Sequence, residues 1–342
     1  MYKNNGVSGR AFDAAGSSGM AFLNSQLELI NPDLVKPLQA VTHTRDITIE
    51  SGGGFAEFIS SWASNYATTG GNQYGLQGND NTDIALVQTD IQKATWRAFN
   101  WAAAMVITLI DLEKMELATR TGMAPPFSLQ QLQDDAVKSI WAKAMDRVTY
   151  LGWLNQPGII NNTNVTASVV AANSNGHTTW AAKLGDTTGP SDILNDVNTG
   201  INSVTGNSGY DIDEGMPDTL LIPWTEYGLL TRPMALGGVG TYESIIKYIE
   251  RNCVAAQHGK EFKIFPLPSP WIAGQGTSQT DRGVLYKNAK KSLYLRVPQP
   301  VRKALTVPTT RDGGAYETIF NGCIGQVMWL RSTTAQYIDG LG

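Results

Sequence analysis

Three histidines, His43, His177 and His258, are the first residues to test for chemistry, because imidazole titrates near neutrality and ligates metals. They fall in three separate segments with no cysteine or carboxylate at ligand spacing, so each reads as a solvated or incidental side chain. Asp80-Asn81-Thr82-Asp83 and Asp211-Ile212-Asp213-Glu214-Gly215 match the front of a calcium loop. Neither has the sixth-position glycine or the closing glutamate, and turn chemistry is the better reading. Gly237-Gly238-Val239-Gly240 stands before a helical pattern, where glycine amides can cradle phosphate. It lacks both the Lys-Ser/Thr of a P-loop and the GxGxxG spacing, so it reads as a plain loop before a Thr241 cap. There is no GxSxG elbow, and Gly206-Asn207-Ser208-Gly209 reads as a polar turn. Trp96, Phe99 and Trp101 near Arg97 could stack bases, but a strand face buried against a second layer accounts for them more simply. Cys253 and Cys323 form neither a CxxC pair nor a disulfide framework, and they suit a reducing compartment. No catalytic, cofactor-binding or metal site is assigned, and no cofactor is expected.

The chemistry that does emerge is a distribution of charge. Residues 46–92 carry Asp46, Glu50, Glu57, Asp80, Asp83 and Asp90 with no Lys or Arg. Residues 281–311 carry Arg282, Lys287, Lys290, Lys291, Arg296, Arg302, Lys303 and Arg311 against Asp281 alone. Two solvated faces that merely differ would give this pattern, and so would a pair of surfaces that meet between copies of the chain.

The elements that position these residues follow from composition and period. In 342 residues, 42% are hydrophobic and 16% charged, with a net charge of -4, which gives a folding chain and excludes a histone-like neutraliser of nucleic acid. No signal peptide and no apolar run long enough to span a membrane is present. Residues 1–45 are polar and rich in Gly, Ser and Asn, and read as an extended arm. Ile47 and Ile49 alternate as in a strand; after the Gly52-Gly53-Gly54 run, Phe55, Phe58, Ile59, Trp62 and Tyr66 have helical spacing. Residues 67–81 have little to bury and read as a mobile tip, from which the chain returns as a strand through Ile91, Trp96 and Trp101.

Thr108 to Asp111 fits a capping box that starts a helix along Leu109, Leu112 and Leu117, and Pro125-Pro126 ends what precedes the next start signal. Ser128 to Gln131 then opens a long amphipathic helix over 128–152, with Leu129, Leu132, Ala136, Val137, Ile140, Ala144, Met145 and Val148 as its stripe. Ile140 and Ala144, one turn apart, are expected to face inward. Pro157-Gly158 closes the helix with a turn. Further on, Ile193 to Val204 and Tyr242 to Cys253 have helical periods, whereas Thr219–Ile222, Glu261–Leu267, Gly283–Tyr286, Ser292–Val297 and Gly325–Arg331 read as strands, with Pro298 and Pro300 between the last runs.

Taken in order, GGGFAEFISSWASNY, LIDLEKMELATRTG, the long helix running into LGWLNQPGIINNTNV, MPDTLLIPWTEYGLL, DRGVLYKNAKKSLYLRVPQPVRKALTV and TAQYIDGLG resemble segments of the major capsid proteins of tailed bacteriophages, the Hong Kong 97 type of fold. The resemblance covers about residue 40 onward. Two places depart from the pattern: the turn at Pro157 to Asn161 is shorter, and Arg331-Ser332-Thr333 stands where that branch often has Arg-Pro.

The resemblance implies an α+β fold with an N-terminal arm (1–45), an E-loop (46–100), a peripheral domain (101–165 and 281–342) including a spine helix at 128–152, and an axial domain (166–280). It implies a structural role in which hexamers and pentamers of this chain tile an icosahedral shell enclosing double-stranded DNA. Partners implied are further copies of the chain, a separate scaffolding protein, a portal, a decoration protein and non-specifically contacted DNA; there is no room in the chain for a fused scaffolding segment. The place implied is the virion capsid, assembled in the host cytoplasm. In such folds the E-loop lies over the neighbouring subunit, so Glu57, Asp80, Asp83 or Asp90 is expected to face some of Lys287, Lys290, Lys291, Arg296, Arg302 or Lys303 between copies. The alternative class is a soluble hydrolase-type enzyme, whose mark would be a convergent set of titratable groups. A binding module would leave the arm and the long loop unexplained.

Overall fold

The computed structural model describes residues 41–69, 86–120, 129–236, 239–309 and 314–342. The chain divides into two compact units, one of Ala40–Leu109 with Gln133–Gly342, the other including Ile110–Leu132. In chain order the elements are α1 (His43–Asp46), β1 (Ile49–Ser51), β2 (Phe58–Thr69), β3 (Leu86–Arg97), β4 (Phe99–Thr108), α2 (Leu109–Arg120) and α3 (Leu129–Leu151). There follow β5 (Thr166–Val169), α4 (Trp180–Lys183), α5 (Gly189–Asn207), β6 (Thr219–Pro223), α6 (Trp224–Leu230), β7 (Pro233–Leu236), β8 (Val239–Ser244), α7 (Ile245–Asn252), α8 (Val254–Gln257), β9 (Lys263–Leu267) and α9 (Ser269–Ile272). The remaining strands are β10 (Arg282–Tyr286), β11 (Leu293–Val297), β12 (Gln299–Thr309), β13 (Ala315–Ile324), β14 (Val327–Trp329) and β15 (Ala335–Asp339). No helix among the described residues is long and apolar enough to cross a membrane.

A five-stranded sheet, ordered β5-β15-β10-β6-β9, separates two hydrophobic cores. Every residue of β6 is buried, because alternate side chains enter opposite cores: Leu220 and Ile222 pack with α5 and α7, and Leu221 packs with α3. The α5 period is expressed in full, with Ile193, Val197, Ile201 and Val204 all buried. Two of the sheet's strands, β10 and β15, come from beyond residue 280, so the sheet draws on both sides of the expected 280/281 domain boundary. A second sheet, β1-β11-β14, adds Leu293, Leu295 and Val327 to the core under α3, and a third, β12-β13-β4, carries Phe320 and Met105 against Val137.

The long helix forms where its spacing places it, but its inward face is set one position away from the expected centre. Val137, Trp141, Met145 and Val148 are buried, whereas Ile140 is 52% exposed. The ring of Trp141 takes the place that Ile140 was expected to fill: it meets Trp101 edge-on at 5.2 Å between centroids and lies where a side chain on Gly322 would stand. A broad apolar stripe can turn either edge inward, and the larger ring buries more area. The helix ends at Gly152, whose φ is +75° and whose missing side chain leaves room for the carbonyl of Gln156. Helix α2 also forms as expected, with Leu109, Leu112 and Leu117 exposed; Pro125 and Pro126 lie outside the described residues.

Two further expectations are corrected. The segment from Phe58 is strand rather than helix: β2 pairs antiparallel with β3 over twelve residues, from Phe58 opposite Arg97 to Thr69 opposite Leu86. Phe58, Trp62 and Tyr66 fit a helical period loosely and a strand's period of two equally well, and the twelve-residue pairing with β3 settles between them. Gly240 lies inside strand β8 and not before a helix, Gly237 and Gly238 lie outside the described residues, and the cap of α7 is Ser244, which accepts from the Lys247 amide at 3.5 Å.

Candidate inter-subunit surface

The β2–β3 hairpin projects from the body on stems at Gly52 to Glu57 and at Ala98. Gly52, Gly53 and Gly54 all have positive φ, and the Gly52 and Gly54 amides donate to the carbonyls of Val297 and Pro298. This conformation, which favours glycine, lets the chain leave β1 and turn into the hairpin. The Ala98 amide closes the second stem on the Glu57 carbonyl at 2.8 Å. Twelve paired residues extend about 40 Å.

Directly opposed residues share a face, so Phe58, Trp62 and Tyr66 of β2 stand beside Arg97, Lys93, Ile91 and Thr89 of β3. Trp62 is 68% exposed and Tyr66 76%; the Lys93 ammonium lies over the Trp62 ring at 5.7 Å, and the Ser64 hydroxyl donates to the Tyr66 hydroxyl at 3.5 Å. A row of aromatics of this size left in water marks an interaction surface.

The charged residues expected to meet between copies are divided by the structure. Lys290 pairs with Glu50 at 2.7 Å, and Arg296 holds the other oxygen of the same carboxylate at 3.1 Å. The Lys290 hydrogen bond holds the Glu50 carboxyl below the usual range. Lys291 pairs with Glu214, which also takes Arg331 at 2.7 Å, and these two hydrogen bonds lower the Glu214 carboxyl in the same way. Lys287 pairs with Asp218 at 2.9 Å. Four of the six cations are therefore engaged within their own chain. Arg302 lies over the ring of Phe55 at 5.3 Å, and Lys303 has no ion-pair partner among the described residues. On the acidic side Glu57 is exposed and, among the described residues, Asp90 accepts from Gln92 at 3.0 Å; Asp80 and Asp83 lie outside the described residues.

Trp96, Phe99 and Trp101 are half-buried on β3 and β4, Trp101 against Trp141, in line with a structural role. The Asp211 carboxylate accepts the amides of Asp213 and Glu214 at 2.9 and 3.0 Å, which is turn chemistry; the Asp80 segment lies outside the described residues.

A buried polar cluster that residue spacing gives no sign of fastens α1 to α3. His43 is buried, contrary to the solvated reading: its ring Nδ1 meets Asp146 Oδ1 at 2.5 Å, and its amide donates to the same oxygen at 2.9 Å. The Tyr150 hydroxyl donates to Asp46 Oδ2 at 2.6 Å, Arg45 holds both Asp46 oxygens, and the Tyr286 hydroxyl reaches the Asp46 carbonyl. Burial and the Asp46 charge push the Tyr150 phenol far above its usual range. The partners lie about a hundred residues apart along the chain, beyond the reach of any local pattern. Each polar group is satisfied by another, so the cluster is an anchor for the segment and carries no free nucleophile.

The family described as Major capsid protein matches residues 73–341. No curated protein matches the chain. Among solved structures, the chain is similar to the capsid of Myoviridae phage XM1, with a TM-score of 0.63, 15% identity, and coverage of 93% of this chain and 98% of that one. It is similar to the capsid of a native GTA particle (TM-score 0.54, 8% identity, 92% and 95% covered). For a Mycobacterium phage Ogopogo chain the values are 0.55, 10%, 91% and 96%. At these identities the likeness establishes the fold, and it is the Hong Kong 97 type that the sequence segments resemble.

Proposed function

The chain belongs to the major capsid protein family, and from that premise we propose how its copies join. Its role is structural and not enzymatic, that of a bacteriophage virion protein whose many copies form a capsid; nothing favours the hydrolase alternative. In the proposed arrangement, hexamers and pentamers of this chain close an icosahedral shell around double-stranded DNA, assembled in the host cytoplasm with a separate scaffolding protein, a portal and a decoration protein. Residues 1–45 serve as the arm, 46–100 as the E-loop, 101–165 with 281–342 as the peripheral domain, and 166–280 as the axial domain.

The observation that carries this reading is the exposed aromatic face of the hairpin. A two-stranded ribbon is marginal in water by itself, and Phe58, Trp62 and Tyr66 gain stability only when covered. The cover is the outer face of the β12-β13-β4 sheet of the next copy, where Val106, Leu305 and Val307 stand exposed on one side. Around that apolar contact, Glu57, Asp80, Asp83 and Asp90 face Arg302 and Lys303, while Lys287, Lys290, Lys291 and Arg296 act chiefly within their own subunit. Exposed pairs of this kind set register more than strength.

Trp62→Glu tests the arrangement. Shells should disappear from negative-stain images while the circular dichroism and melting temperature of the subunit stay those of the wild type, because Trp62 contributes nothing to either core. Normal shell yield from this variant would overturn the proposal.

A further inference from the structure

Glu226, the third residue of α6, is 4% exposed, and its Oε2 has no hydrogen-bond partner. Its carboxyl group lies within hydrogen-bonding reach of the carboxyl group of Asp281, the residue before β10. Both converge on one point: a side chain built on Gly342 would come within 2.7 Å of Glu226 Oε1 and 2.8 Å of Asp281 Oδ2. The other oxygen of Asp281 accepts the Gly274 amide at 3.0 Å, and the Asp281 carbonyl accepts the amides of Gly340 and Leu341. The pair therefore sits where α6, the loop before β10 and the residues after β15 come together.

Among the described residues, no cation serves it. The adjoining Arg282 is held by both oxygens of Asp339 at 2.7 and 3.0 Å. Helix α6 packs on β6, β9, α4 and α7. Strand β6 has no charged residue, Lys263 of β9 is paired with Glu261, and Lys183 of α4 is paired with Asp196. On α7, Arg251 is paired with Glu243, Glu250 accepts the Ile264 amide, and Lys247 is exposed on the solvent side of the helix. Two carboxylates cannot both stay ionised in contact without a counter-charge.

We propose that Glu226 keeps its proton and donates it towards the Asp281 carboxylate as a pH-sensitive lock, which fastens α6 to the start of β10 while the proton is held and loosens that seam when it leaves for solvent. The held proton sits on Glu226 and points to Asp281; its loss leaves two negative charges facing one another without a counter-charge. Burial, and then the Asp281 charge, hold the Glu226 carboxyl above the 4.5 of a free glutamate. The folded chain thus binds the proton more tightly than the unfolded chain. Stability is fully present below about pH 4.5 and is lost as pH rises through the folded-state value.

Urea unfolding of the full chain across about pH 5 to 8, for the wild type, Glu226→Gln and Asp281→Asn, tests this. Each unit by which Glu226 holds its proton above the free value should raise the wild-type unfolding constant about tenfold by neutral pH. Both amide variants, which donate the hydrogen bond without titrating, should remove that rise and unfold less readily than the wild type at pH 8. If Glu226→Gln fails to fold, Asp281→Asn gives the same reading. An unchanged pH slope in a folded variant would overturn the proposal. So would stabilisation of the wild type by added calcium that the variants lack, since a cation and not a proton would then join the two groups.

Discussion

Replacing Trp141 by alanine removes the side chain that joins α3 to the β12-β13-β4 sheet. The indole is 9% exposed, stacks edge-on against Trp101 at 5.2 Å and an interplanar angle of 81°, and would lie 2.6 Å from a Cβ placed on Gly322. Backbone glycine on one side and β4 on the other leave little that can collapse into the space. The expected loss is therefore about 3 to 5 kcal/mol, the range for large aromatic truncations in cores. Of this, roughly 0.5 to 1.5 kcal/mol belongs to the ring pair and should appear as coupling in a double-mutant cycle with Trp101→Ala. The adjacent Ile140→Asp is the control. At 52% exposure Ile140 leaves a new carboxylate in water, and the change should stay within about 1 kcal/mol. The assay is urea unfolding of the unassembled subunit followed by far-ultraviolet circular dichroism, because removing a tryptophan alters the fluorescence signal. If Ile140→Asp unfolds the subunit as readily as Trp141→Ala, the helix turns a different edge to the core and the packing described for it is wrong.

Two further outcomes follow from the hairpin and the ion pairs. Residues 46–92 contain no lysine, and Lys93 is occupied over the Trp62 ring, so boiled and reduced particles should migrate as one monomer band; a ladder of covalent multimers would refute this. Lys290→Glu with Lys291→Glu should lower the melting temperature of the isolated subunit, since their partners Glu50 and Glu214 are in the same chain, whereas Lys303→Glu should leave the subunit unchanged and reduce shell yield at low salt. Shell yield unaffected by Lys303→Glu would remove Lys303 from the contact.

How far the fold could be read along the chain depended on whether each element had one burial environment. Helix α5 and strand β6 were legible because their apolar residues meet cores on fixed faces, and the period records it. In β2 the aromatics have no core within the subunit, so helical and alternating periods fitted equally and the helical one misled. Strand β12 escaped notice because Pro300 lies inside it and two register shifts interrupt its pairing with β13, features tolerated on an edge strand. The charge asymmetry was legible, but how its members pair was not: Glu50 and Glu214 reach Lys290, Lys291, Arg296 and Arg331 only after folding brings residues far apart together. His43 was hidden for the same reason, as Asp146 lies 103 positions away.

Strand β15 has consequences for the order of events during synthesis. It is buried throughout and lies inside the five-stranded sheet, antiparallel to β10 on one side and parallel to β5 on the other. Until residues 335–339 have left the ribosome, β5 has no neighbour in this sheet and both layers of apolar side chains remain open along the β10 edge. Such distant pairing closes late and slowly. A growing chain is thus held short of its finished surface until β15 has been made. A chain cut short of β15 is therefore expected to stay out of an assembling shell, because the sheet that builds its body is not yet closed.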